Sequence, residues 1–315
     1  MARTATVFGG SGFIGRYVVK RLAREGWVVR AAVRLPQSAL FLRTMGPLGQ
    51  VTPIAANLRD ERSVADAVAG VEAVVNLVGI LYEKGQQSFD AVHVQGAAAV
   101  ARAAAAAGVR RLVHVSALGA DAASDSSYAR SKAAGEQAVR AAFPAAAIMR
   151  PSIVFGPEDE FFNRFAAMAE LSPALPLIGG GRTRFQPVYV GDVAAAIVAA
   201  IDRDDAAGRT YELGGPRVYS FRELMELLLR EIRRKRWLVD LPVGLANLQA
   251  GLLERLPVPP LTRDQVRLLG HDNVVAPGAL TLADLGIQPV APEIILPTYL
   301  DRFRPRGYYS RSDRI

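Results

Sequence analysis

Cysteine is absent from the 315-residue chain, and histidine occurs only as His93, His114 and His271. Disulfides and thiolate metal sites are thereby excluded, and the lack of thiols fits a reducing compartment. Three imidazoles far apart in sequence argue against a metal centre. Long apolar runs are also missing: "AVVNLVGIL" is far shorter than the roughly 20 residues a spanning helix needs. "MARTATVFGGSG" leads straight into a strand-like segment with no apolar signal core, so no cleaved leader is expected. What remains is a soluble or membrane-peripheral protein.

The chain is 50% hydrophobic, enough to bury a substantial core as one large or two coupled domains. Its formal net charge of +8 favours anionic partners such as nucleotides, acidic protein faces or phospholipid headgroups. Nucleic acid is not expected. The arginines are scattered among apolar segments, and no recognition helix, zinc module or aromatic platform accompanies them.

Strand-like and helix-like segments alternate through the first half. "TATVFG", "WVVRAAVR", "VTPIAANL", "VEAVVNLVG" and "VRRLVHVSA" read as strands, followed by "AAIMRPSIVFG" and "RTYELGG". "FIGRYVVKRLAREG", "ERSVADAVAG" and "HVQGAAAVARAAAAAG" read as helices between them. This alternation predicts an α/β fold, a doubly wound parallel sheet of Rossmann type with helices on both faces. Beyond residue 155 the pattern turns helical, with proline-rich turns. A smaller, mainly helical cap is expected over residues 155–182 and 217–300, interleaved with a sheet domain of residues 1–154 and 183–216. Residues 301–315 read as a basic extended tail.

"TVFGGSGFIGRYVV" places Gly9, Gly12 and Gly15 between the first strand and the first helix. Glycine there lets the backbone approach a pyrophosphate, which the helix N-terminus attracts. A second strand ends about 20 residues on, as the motif requires. That strand ends at Arg34 with no carboxylate nearby. An acidic residue would favour a ribose 2′-hydroxyl, whereas an arginine accommodates a 2′-phosphate, so NADPH is expected over NADH. Tyr128 and Lys132 stand four residues apart, which stacks them on one helix face. A neighbouring ammonium would lower the phenol's pKa and make it a proton donor for a carbonyl.

These motifs, with "NLVG" at 76–79, "HVSALG" at 114–119 and "RPSIVFGP" at 150–157, resemble the extended short-chain dehydrogenase/reductase family over roughly the first 215 residues. The resemblance implies a cofactor-binding set of Gly9, Ser11, Gly12, Phe13, Ile14, Gly15, Arg34, Asn57, Leu58, Leu77, Val78, Gly79, Ser116, Tyr128, Lys132 and Pro151. It also implies Tyr128 as proton donor, Lys132 on the nicotinamide ribose and Ser116 orienting a substrate carbonyl. "FLRTMGPLGQ", "RFQPVYVGDVAAAIV" and "PPLTRDQVRLLGHDNV" extend a closer resemblance, to the NADPH-binding accessory subunits of respiratory complex I (NADH:ubiquinone oxidoreductase), across nearly the whole chain. Tight NADPH without established turnover is then expected. So are complex I subunits as partners at the junction of peripheral and membrane arms. The implied location is peripheral, on the cytoplasmic face of a bacterial inner membrane or the matrix face of a mitochondrial one.

Three positions depart from the extended family's pattern. Ala117 stands where its serine or threonine is common, one residue after Ser116; His93 replaces an asparagine, and Asn57 an aspartate near the adenine. A structural NADPH-holding subunit therefore stands beside two alternatives. One is a free-standing NADPH-dependent reductase or epimerase acting on a sugar nucleotide, quinone or lipid-like carbonyl. The other is a redox-sensing binder. A last motif lies in the cap, where the basic cluster Arg233 to Arg236 and Trp237 precede Leu241, Leu245, Leu248, Leu252 and Leu256 at helical spacing, with Pro242 limiting the helix to the later four. Such a stripe suits an anionic membrane surface, a partner groove or the cap's own core.

Overall fold

The computed structural model describes residues 3–254, 256, 259 and 261–307. Along the chain, β1 (Thr4–Phe8), α1 (Phe13–Arg24), β2 (Val28–Val33), β3 (Val51–Ala55), α2 (Glu61–Val68), β4 (Ala73–Asn76), α3 (Ala97–Ala106), β5 (Arg111–Val115), α4 (Ser127–Ala142) and β6 (Ala147–Pro151) alternate as the patterning predicts. Then come β7 (Val154–Phe155), α5 (Phe162–Leu171), β8 (Ala174–Ile178), β9 (Arg184–Phe185), β10 (Val188–Tyr189), α6 (Val190–Asp202) and β11 (Thr210–Leu213). The rest of the described chain carries β12 (Tyr219–Ser220), α7 (Phe221–Glu231), β13 (Trp237–Leu241), α8 (Val243–Leu253), α9 (Arg263–Leu268) and α10 (Pro292–Ile295).

Two compact units result. The first, residues 1–151, 190–213 and 277–287, holds one seven-stranded parallel sheet in the order β11-β6-β5-β4-β1-β2-β3. The strands read as apolar runs because helices bury both faces; Val7, Val29, Val74 and Val113 lie in the core. Thr6 is the exception inside β1, and its hydroxyl donates to the Ala67 carbonyl at 2.7 Å. The strand order reverses between β1 and β4, which makes the carboxyl ends of these two strands the switch point of the sheet.

Local chemistry sets the helix starts. Asp60 caps α2 by accepting from the backbone N–H groups of Arg62 and Ser63, and Ser126 caps α4 by accepting from Ala129. The segment before α3 departs from the single helix expected there. Residues Asp90–Gly96 form a π-helical turn, a local widening that recurs at functional sites.

The second unit, residues 152–189, 214–276 and 288–315, has a core of Phe155, Phe162, Leu175, Leu177, Phe221, Leu224 and Leu228. β8 and β13 pair in parallel within it. Leu241, the first leucine at helical spacing, closes strand β13 and not a helix, and Trp237 and β-branched Val239 favour the strand. Several expected boundaries move, with residues 152–154 and 214–216 also falling in the second unit. Residues 277–287 return to the first unit, where the Leu280 carbonyl accepts from the Glu212 N–H at 2.8 Å along the edge strand β11. Residues 183–189 belong to the second unit, since β9 pairs with β12 and β10 with β7. The extended tail does not begin at 301: Leu300–Phe303 is a tight 3₁₀ turn, and Arg304 donates to the Glu231 carbonyl at 2.8 Å. Residues 308–315 of that tail lie outside the described residues. No described helix is long and apolar enough to cross a membrane.

Candidate functional site

The candidate residues gather at the carboxyl ends of β1, β2, β4, β5 and β6. The chain leaves β1 at Gly9, whose φ of +77° lies in the left-handed region that glycine enters without a Cβ penalty. Gly9 donates to the Ala32 carbonyl at 3.0 Å, and the Gly12 N–H returns to the Gly9 carbonyl at 3.0 Å. A Cβ on Gly15 would lie 2.2 Å from the Gly9 carbonyl oxygen and 2.8 Å from Gly10 backbone atoms. Only glycine lets α1 rest directly on the turn. Ser11, Phe13 and Ile14, partly buried, complete it. α1 has no side-chain cap at Gly12 and no acid in its first turn. The N–H groups of that turn therefore present positive potential with no internal anion, as a phosphate site requires.

Arg34 is the first residue after β2, exposed and without a hydrogen-bond or ion-pair partner among the described residues. A second cation sits close to the turn. Arg16 reaches the Ser11 and Gly12 carbonyls at 3.4 Å and stacks over Phe41 at 5.2 Å. Sequence reasoning passed over it, although its place directly after the third glycine puts it in the first turn of the helix. Asn57 is committed to its own turn: its Oδ1 accepts from the Arg59 N–H at 3.2 Å, and its N–H donates to Ser63 at 3.0 Å. Leu58 packs against Gly96 and borders the sheet core.

Leu77, Val78 and Gly79 follow β4 beside the glycine turn. Leu77 donates to the Phe8 carbonyl at 3.1 Å, and Val78 donates to the side chain of Asn76 at 3.2 Å. The next residue, Ile80, donates its N–H to His93 Nε2 at 3.0 Å. That bond fixes the ring's tautomer, because a nitrogen that accepts cannot carry a proton. His93 Nδ1–H then donates to Ser131 Oγ at 2.8 Å, and Ser131 donates to the Tyr128 carbonyl at 2.7 Å. Burial, and then the charge of Lys132, pushes the His93 pKa down to about 3, so the ring is neutral at physiological pH. It stacks on Phe89 at 5.3 Å and meets the Tyr128 ring edge-on at 5.5 Å. A Cβ at Gly135 would lie 2.2 Å from the His93 carbonyl oxygen, so α4 sits flush against the π-helical turn. The histidine marked in the sequence as a mere replacement thus ties the 77–80 segment to the helix carrying Tyr128 and Lys132.

Lys132 is buried and donates to the Val115 carbonyl, at the end of β5, at 2.9 Å. Burial lowers its pKa to about 8, partly opposed by Glu136 one turn on. Arg150 holds Glu136 through two bonds of 2.9 and 2.8 Å. Tyr128 contradicts the sequence expectation: burial raises its phenol to about 12, and the ammonium four residues away does not lower it. Desolvation outweighs the neighbouring charge because the ammonium is itself desolvated and bonded to a carbonyl.

Ser116 is buried, and its hydroxyl has no hydrogen-bond partner among the described residues. An orphaned buried hydroxyl calls for a partner that the protein itself does not provide. Ala117 is the more open of the two and offers only a methyl group. Pro151 ends β6 and accepts from the Leu118 N–H at 2.9 Å. The open helix terminus, the tight turn on which Gly15 lets α1 rest and the unpaired Ser116 hydroxyl fit a bound dinucleotide.

Comparisons agree with this geometry. A model of the NAD dependent epimerase/dehydratase family matches residues 5–214. The chain is 42% identical over 297 residues to NADH dehydrogenase (ubiquinone) 1 alpha subcomplex subunit 9, mitochondrial, of Arabidopsis thaliana, across 90% of this chain and 74% of that protein. It is 36% identical over 307 residues to the NADH-ubiquinone oxidoreductase 40 kDa subunit, mitochondrial, of Neurospora crassa, across 97% and 81%. A ceramide reductase of Caulobacter vibrioides is 37% identical over 193 residues, across 61% and 59%. Among solved structures, the dTDP-glucose 4,6-dehydratase DesIV of Streptomyces venezuelae, with NAD and TYD bound, superposes with a TM-score of 0.74. It is 23% identical, across 95% of this chain and 96% of that one, and the likeness shows the shared fold.

The glycine turn yields a contrast of sign. Gly15→Ala gains helix propensity of about 1 kcal/mol, but the clash with Gly9 and Gly10 costs about 1–3 kcal/mol or more, so the variant should melt earlier. Gly244→Ala, in the first turn of α8 with nothing within 4 Å of the added methyl, should be neutral or stabilising. Thermal unfolding of both variants checks this; a Gly15→Ala protein as stable as the parent would remove the packing argument.

Proposed function

The chain belongs to the NAD dependent epimerase/dehydratase family, and within it to the group containing the mitochondrial NADH dehydrogenase subunits it matches; on that footing we propose that it is an accessory subunit of NADH:ubiquinone oxidoreductase that holds NADPH without turning it over. The observation that carries this reading is a division within one site. The phosphate-binding half is fully formed, whereas the position that would orient a substrate carbonyl carries the methyl of Ala117 and the hydroxyl of Ser116 is buried beside it.

In this assignment the turn from Gly9 to Gly15 and the first N–H groups of α1 take the pyrophosphate. Arg34 takes the 2′-phosphate, since it is exposed and has no acid to satisfy it. Lys132 reaches the nicotinamide ribose, Ser116 gains its missing partner, and Leu77, Val78 and Gly79 form the wall beside the dinucleotide. Bound there, NADPH would be a hydride donor. Burial raises the Tyr128 phenol above its ordinary value, which works against proton release at neutral pH. The partners are the other complex I subunits, at the junction of its peripheral and membrane arms. The location is peripheral, on the cytoplasmic or matrix face.

A second reading is kept because Tyr128 and Lys132 remain on one helix and because a ceramide reductase is among the relatives. It is a free-standing NADPH-dependent reductase or epimerase of a lipid-like carbonyl, quinone or sugar nucleotide.

The first of two experiments tests the nucleotide assignment common to both readings, and the second separates them. A guanidinium–phosphate contact is worth about 1.5–3 kcal/mol, so Arg34→Ala should weaken NADPH by roughly tenfold or more and leave NADH nearly unchanged in titration calorimetry. Equal losses for both would remove the 2′-phosphate assignment. In cells whose native copy is replaced, Lys132→Ala should lower nucleotide occupancy and complex assembly. Tyr128→Phe should assemble near-normally, because it removes at most one hydrogen bond of about 0.5–1.5 kcal/mol. If purified wild-type protein oxidises NADPH and Tyr128→Phe cuts that rate by roughly 10²–10⁴-fold, the chain is an enzyme.

A further inference from the structure

The second unit carries an apolar face that the protein leaves uncovered. α8 has no charged side chain in its eleven residues, VGLANLQAGLL. Only Ala246 and Ala250 are buried, against Ile178 and Val266. Leu248 and Leu252 are 65% and 61% exposed, and Leu245 and Val243 are exposed with them. In β13, Trp237 and Val239 share one side of the strand, with Trp237 75% exposed. α7, in the same unit, shows the ordinary arrangement: Phe221, Leu224, Met225 and Leu228 are buried while Glu223, Glu226 and Arg230 face water. Asn247 and the exposed Gln249 are the polar side chains of α8, and its own unit covers just the alanine side.

Charge indicates the nature of that surface. Arg233 and Lys235 precede β13, are exposed, and have no acidic partner among the described residues. The neighbouring acids are already neutralised, Asp240 by Arg222 at 2.7 Å and Glu254 by Arg263 at 3.3 Å. Unpaired cations beside an exposed tryptophan and a leucine stripe are the composition that seats a helix at the headgroup boundary of an anionic bilayer. A protein groove would cover the leucines equally well but would have no need of the cations.

We infer that α8 and β13 form a docking face for an anionic lipid surface, with Trp237, Leu245, Leu248 and Leu252 entering the headgroup boundary and Arg233 and Lys235 over the phosphates. This goes beyond the subunit reading and stands or falls separately from it, because the isolated full chain can be tested.

The test is flotation of the full chain with vesicles of phosphatidylcholine plus cardiolipin, and with phosphatidylcholine alone. Binding to the anionic vesicles is expected, with a blue shift of Trp237 emission, read in a Trp27→Phe background because Trp27 is only 3% exposed. Leu248→Ser/Leu252→Ser changes two exposed side chains and should lower binding by roughly tenfold or more. Arg233→Gln/Lys235→Gln should lower it by about fivefold per cation and abolish the preference for cardiolipin. A chain that stays with the buffer, or binds neutral vesicles equally well, overturns the proposal. So does a dimer in solution that the leucine variant dissociates, which would assign the face to a second copy.

Discussion

Backbone resting on backbone at Gly15 is the contact on which the candidate site depends. With no Cβ to hold them apart, the first turn of α1 lies directly on Gly9 and Gly10, and the helix N-terminus points at the end of β1. Parallel pairing then delivers the ends of β2, β4, β5 and β6 to the same edge, since every strand of the sheet runs the same way. A methyl group at Gly15 would lift the helix away from the sheet. The open N–H groups, the wall of Leu77 to Gly79 and the end of β2 at Arg34 would then no longer address one ligand.

The second half of the site is governed by desolvation rather than by charge. Lys132, His93 and Tyr128 all titrate away from their ordinary values toward the neutral form, and burial is the first cause in each. The polar groups are satisfied inward: Lys132 on a carbonyl, His93 between a backbone N–H and Ser131, and Ser131 on the Tyr128 carbonyl. Such a network ties the 77–80 segment, the π-helical turn and α4 together through side-chain-to-backbone bonds. The buried Ser116 hydroxyl, directly after β5, has no hydrogen-bond partner among the described residues. A site arranged in this way is suited to retaining a ligand.

Features with a local period or a fixed spacing were legible in the sequence. The seven parallel strands, the glycine turn, the end of β2 at Arg34 and the break of the apolar stripe at Pro242 all come from short-range chemistry. What escaped depends on neighbours distant in sequence. The π-helical turn at Asp90–Gly96 packs against Gly135, 42 positions from His93 in the chain numbering, and no local pattern announces it. The tyrosine–lysine spacing read correctly as one helix face, but its electrostatics did not, because burial is a tertiary property. β13 and the return of residues 277–287 to the first unit are likewise set by edge pairing. For the leucine stripe, helical spacing leaves a membrane surface, a partner groove and the cap's own core open, and in the structure Leu248 and Leu252 are exposed.

The central claim is that this chain retains NADPH as a fixed part of its structure. Mass spectrometry of the nucleotide released by denaturing gently purified protein tests it most directly, with the same measurement repeated after prolonged incubation with isotopically labelled NADPH. The account predicts NADPH in near-stoichiometric amount and little exchange for the labelled form. Release of NADH or NAD⁺, a protein without nucleotide, or rapid and complete exchange would contradict it.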